Sequence, residues 1–191
     1  TKIKYLINKL KKNKQIKIKS FLFSVGHDFK KWRKNGIRDD SYFSNTKKGG
    51  GVIFELVHEI NLIHLFFGKV AKIATFKSNY DEFNCEDTAV SIIKMENNII
   101  GSLHQDMFSK VLFRRIKIIT NKITFDVDMV KNILLENNKV LKFKNINNQK
   151  DLLKRNLLLF IRRIDKQDYS LSDYETAIQD LKTCLKMHNV K

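Results

Sequence analysis

The chain is 191 residues long, 42% hydrophobic and rich in phenylalanine, with fourteen, which is enough apolar material for one domain with a sizeable core. No run approaches the ~18 unbroken apolar residues of a membrane span, no secretory leader pattern opens the sequence, and two cysteines without CxxC spacing, Cys85 and Cys184, argue against a disulfide framework or a zinc site, so the chain reads as cytoplasmic. A net charge of +17 admits either a phosphate-binding surface or a Lys-, Asn- and Ile-rich compositional bias, and no recognised nucleic-acid motif accompanies it.

The sequence opens in a helix that reads as already under way, with Ile3, Leu6, Ile7 and Leu10 at helical spacing among a run of lysines, as expected of a piece of a longer protein. Residues 15–25 alternate as a strand. A polar loop from 26 to 48 follows and holds the single tryptophan, Trp32; a loop of that length is either functional or a surface excursion anchored by one aromatic.

The most informative stretch is residues 49–68, GGGVIFELVHEINLIHLFFG. Three glycines permit unusual dihedrals or close approach of another group, and a helix is expected to start there. Its apolar residues surround the axis, as in a helix buried on most sides. At about 100° per residue, Glu55, His58 and Glu59 share a narrow stripe, with Asn61 beside His58 and His64 on the far side. A carboxylate beside an imidazole suits proton transfer near neutral pH. It equally suits a Glu–His pair satisfied within a core or at a subunit contact. Metal binding is not expected, because Leu62 stands four positions after His58, where a metal-binding helix would place a second histidine.

Strand-like runs then cover 69–78, 87–96, 99–108, 111–120, 122–128 and 130–144, with hairpin signals at Asn97-Asn98 and Asn137-Asn138. Tight connections require antiparallel neighbours, so a large meander-like sheet is expected. His104 and Asp106 lie two apart and so face one side of their strand. Helical spacing returns over 151–166, and a capping-box pattern at Ser172 and Glu175 opens a last helix to Met187. The fold class is α+β: a large, mainly antiparallel sheet with helices on one face and the other face available for oligomerisation.

Several of these residues carry a resemblance. Gly49-Gly50-Gly51, Glu55, His58-Glu59-Ile60 and Phe67-Gly68-Lys69-Val70 resemble the start of the C-terminal domain in the glucose-fructose oxidoreductase, inositol dehydrogenase and MocA family. Trp32-Arg33 and Tyr42 resemble the family's loop before the triple glycine, although Lys34 stands where the family has proline. Glu86-Asp87-Thr88-Ala89 and Ser102-Leu103-His104-Gln105-Asp106, followed by Arg114 or Arg115, resemble two of its strands. Asn61 occupies a position where the family usually has Asp.

The resemblance implies that residues 1–191 are a C-terminal substrate and oligomerisation domain of a larger oxidoreductase, without its N-terminal Rossmann domain. The parent would use NAD or NADP to oxidise a sugar, cyclitol or nucleotide-sugar hydroxyl. His58 would exchange the hydroxyl proton, and Glu55 would orient it. Trp32, Arg33, Tyr42 and Asn61 would line the substrate pocket, with Gly49, Gly50 and Gly51 near the cofactor. No GxGxxG fingerprint occurs in the sequence, so these residues alone are expected to hold no dinucleotide and to be inactive. The competing reading is a non-enzymatic dimerising scaffold or a basic nucleic-acid-binding module.

Overall fold

The computed structural model describes residues 2–32, 42–79, 84–142, 153–154, 157–158, 160–162 and 174–189. Alternating apolar residues make eight strands in one sheet: β1 (Ile18–Gly26), β2 (Val70–Ser78), β3 (Thr88–Met95), β4 (Ile100–Asp106), β5 (Phe113–Thr120), β6 (Thr124–Asp128), β7 (Ile133–Glu136) and β8 (Lys139–Val140). Their order is β2-β3-β4-β1-β5-β6-β7-β8. The sheet is therefore not a simple meander. β1 is inserted at its centre, parallel to β4 and antiparallel to β5, and every other pairing is antiparallel. The expected last strand over 130–144 divides into β7 and β8 at Asn137-Asn138, both with positive φ (47° and 66°), and Asn98 takes φ 65° in the other hairpin.

Five helices are described by name: α1 (Lys2–Lys12), α2 (Phe29–Trp32), α3 (Val52–Glu55), α4 (Val57–Phe67) and α5 (Tyr174–His188). Residues 153–154, 157–158 and 160–162 are also helical, while the remainder of the helix expected over 151–166 and the capping residue Ser172 lie outside the described residues.

The core lies between one sheet face and these helices. Phe21 and Phe23 on central strand β1 meet Phe67 at the end of α4, Phe21 stacked at 4.4 Å and 8° and Phe23 edge-on at 6.1 Å. Gly101, paired with Phe21, leaves room for that ring: a Cβ there would lie 2.3 Å from it. α1 is tied to β7 by Lys9, whose Nζ lies 2.5 Å from Glu136 Oε2, and Leu6 beneath is fully buried. The opposite sheet face exposes Phe76, Val90, Ile92, Ile100 and Leu22.

α5 docks along α3 and α4 through polar contacts. His64 Nδ1 lies 2.6 Å from Asp180 Oδ1, Asn61 Nδ2 donates to Asp180 Oδ2 at 2.7 Å, and Thr183 Oγ1 lies 3.2 Å from His64 Nε2. His64 and Asp180 are both buried, so each needs the other.

Candidate functional site

The stretch that reads as one helix is broken in the structure. Leu56 leaves helical geometry (φ −107°, ψ 32°) between α3 and α4, and the chain bends by 51° between Thr46–Glu55 and Val57–Phe67. A break frees backbone carbonyls that must find other donors. Gln105, fully buried on β4, donates its Nε2 to Leu56 O at 3.1 Å. The Cys184 thiol of α5 lies 4.0 Å from Ile53 O. The bend is thus held from both sides, and it sets the direction in which the first turn of α4 presents its side chains.

That turn carries His58 and Glu59. His58 is exposed, whereas Glu59 is 3% exposed and accepts a hydrogen bond from Arg114 Nε of β5. Burial pushes the Glu59 carboxyl above its ordinary range, against the opposing pull of Arg114 and, more weakly, of His58. Arg114 pairs in register with Val25, one residue before the end of β1, and Gln105 pairs with Val25 from the other side. The Glu59–Arg114 pair therefore stands at the carboxyl ends of β1 and β4, and the exposed His58 precedes Glu59 in the same turn of α4.

The break also divides the stripe on which Glu55 and His58 were placed. Glu55, half-buried, ends α3, and its charge is felt at Cys85 together with those of Glu86 and Asp87; the charge of His58 is felt at Glu59. Burial pushes both thiols, Cys85 and Cys184, up to about 12, so neither is a nucleophile at neutral pH.

The triple glycine has an internal use. Gly49 (φ 81°) and Gly51 (φ 118°) adopt backbone conformations that side chains disfavour. A Cβ on Gly50 would lie 2.3 Å from Tyr42 O, and one on Gly51 would lie 2.3 Å from Glu86 Oε1. Glu86 in turn places Oε2 3.3 Å from His188 Nδ1 at the end of α5. Val52 N donates to Glu86 O at 2.9 Å, which ties the start of α3 to the segment leading into β3.

A profile of the GFO/IDH/MocA C-terminal domain matches residues 18–126, more than half of the sequence. The chain belongs to that family. Solved structures with the same fold include an oxidoreductase from Thermotoga maritima (TM-score 0.76, 15% identity, 98% of this chain and 56% of that one). They also include the UDP-N-acetylglucosamine 3-dehydrogenase GnnA from Acidithiobacillus ferrooxidans (0.73, 15%, 95% and 56%). A third is the WlbA dehydrogenase from Bordetella pertussis in complex with NADH and UDP-GlcNAcA (0.70, 16%, 97% and 57%). The chain spans little more than half the length of each. No curated protein matches the sequence.

Within this GFO/IDH/MocA domain, the residues picked from sequence are distributed as follows. His58 is exposed beside the Glu59–Arg114 pair. Asn61 is engaged by Asp180 on the side of α4 that meets α5. Tyr42 is 49% exposed and meets Phe43 edge-on, in the first of two short 3-10 turns before the glycines. Trp32 ends α2, and Arg33 lies outside the described residues. His104 and Asp106 do share a face, with Nε2 3.1 Å from Oδ2, but Asp106 also accepts from Ser109 Oγ and the backbone N–H groups of Phe108 and Ser109. That makes Asp106 chiefly the organiser of the turn after β4.

Gln105 and Arg114 were not among the candidates. Gln105 stands at an inward parity on β4, between buried Leu103 and Met107, and a polar residue there is the signal that could have found it.

Proposed function

We propose that this domain supplies the substrate side of an NAD- or NADP-dependent oxidoreductase acting on a hydroxyl of a sugar, cyclitol or nucleotide sugar. The observation that carries the reading is His58: an exposed imidazole on the turn that a held helix break sets beside the carboxyl ends of β1 and β4, and it is outside the carboxyl ends of strands that open α/β sheets put their ligands. Membership of the GFO/IDH/MocA family and the fold shared with GnnA and WlbA support it.

A nicotinamide dinucleotide, held mainly by a separate domain, would supply the acceptor for the hydride that leaves the carbinol carbon. His58 takes the hydroxyl proton as the carbon–oxygen double bond forms. Glu55, across the Leu56 break from His58, holds a neighbouring hydroxyl, and Tyr42 borders the sugar. Asn61 contributes by fixing α4 through Asp180. Gly49–51 face the dinucleotide side.

The uncovered sheet face, with Phe76, Ile92, Ile100 and Leu22 exposed in adjoining rows, is the surface on which a second copy would sit.

A fluorescence titration tests the division of labour between domains. The isolated chain is expected to show no saturable NADH binding at micromolar concentrations, while the full-length protein with its dinucleotide domain binds it. Tight NADH binding by residues 1–191 alone would refute the assignment.

A further inference from the structure

Arg114 is committed at one end only. Its Nε donates to Glu59 Oε1, and the Glu59 side chain is 4% exposed, so the guanidinium is held by a carboxylate enclosed in the core. Among the described residues no other side chain pairs with it, and neither Nη is a buried atom lacking a partner. With the side chain 31% exposed, the Nη groups reach solvent beside the first turn of α4, the turn that also carries the exposed His58.

A buried ion pair is weak evidence for stability by itself, since apolar groups of the same volume serve the core as well. An arginine locked at Nε with its remaining N–H donors open is, in contrast, a preorganised receptor for an oxyanion, because paired N–H groups match the spacing of two oxygens on carboxylate or phosphate. Glu59 is engaged at Nε and shielded from solvent, so its oxygens do not line the open edge.

We propose that Arg114 is a specificity-determining residue that takes an oxyanion, carboxylate or phosphoryl, borne by the sugar whose hydroxyl meets His58. The substrate class is then acidic sugar derivatives and not neutral sugars or cyclitols. This rests on the reading of His58 given above.

The test is an NMR titration of the 191-residue chain, isotope-labelled, with D-glucuronate, D-glucose 6-phosphate, D-glucose and inorganic phosphate in turn, following the Arg114 Nε–Hε and His58 ring signals. At least one acidic sugar is expected to move both signals at concentrations about ten-fold below those at which glucose does. Glucuronate acting more strongly assigns the carboxylate, and glucose 6-phosphate the phosphoryl group. Arg114→Gln is expected to abolish the preference for acidic sugars. Should that variant fail to fold, Arg114→Lys, which keeps the charge without the fork, is expected to reduce it.

Equal responses to glucose, no response to any sugar, or an unchanged preference in both variants overturns the proposal. If His58 responds to all three sugars while Arg114 is silent, the anion proposal falls and the reading of His58 stands. If Arg114 responds to phosphate and acidic sugars while His58 is silent throughout, the contact is an adventitious ion only, and both fall.

Discussion

At the residue scale, the glycines separate two physical demands that look identical in the sequence. Gly49 needs only its positive φ, because nothing lies within 4 Å of where its Cβ would be. Gly50 needs only space, against backbone, and Gly51 needs both its positive φ and space against the Glu86 carboxylate. Gly49→Ala is therefore expected to cost about 1 kcal/mol, and Gly50→Ala and Gly51→Ala about 3 kcal/mol each, read from urea unfolding midpoints. Equal costs at the three positions would show that close approach does not matter there. The run of three announced an unusual backbone in the sequence. Its close approach to Glu86 could not be read, because that joins segments far apart in the chain.

At the element scale, the strands were legible because alternation and Asn-rich turns are local signals. The place of β1 was not, since inserting it between β4 and β5 depends on long-range pairing, Phe21 with Gly101 on one side and with Ile118 on the other. The break at Leu56 was equally hidden. Val52 to Phe67 holds no proline and no internal glycine, so the bend comes from tertiary donors, Gln105 above all, and not from local propensity. The docking of α5 depends on one buried acid. Asp180→Ala strands both His64 and Asn61, and is expected to destabilise the chain by about 3 kcal/mol in denaturant unfolding. A loss below about 0.5 kcal/mol, the level of an ordinary surface change, would mean that the His64–Asp180–Asn61 network does not hold α5.

At the scale of the whole molecule, a sheet covered on one side leaves a face whose apolar rows continue across four strands. Ile92, 51% exposed near the middle of β3, is flanked in register by Ala74 and Ser102. Ile92→Glu is expected to shift the protein from dimer or higher oligomer to monomer in analytical ultracentrifugation, with the fold unchanged by circular dichroism. An unmodified protein that sediments as a monomer at high micromolar concentration would rule that surface out. The family was legible from motifs clustered between Trp32 and Asp106, and the candidate site in part: His58 was marked by its residue type and its place after the glycines, whereas Arg114, which pairs with the adjacent Glu59, is brought there by β5. The proposed division of chemistry between domains converges on that one imidazole. In the full-length protein, the single-turnover rate of nicotinamide reduction by a sugar substrate, followed by NADH absorbance, tests it most directly. His58→Gln is predicted to slow that rate by about a hundred-fold or more with NADH affinity retained, and an unchanged rate would contradict the account.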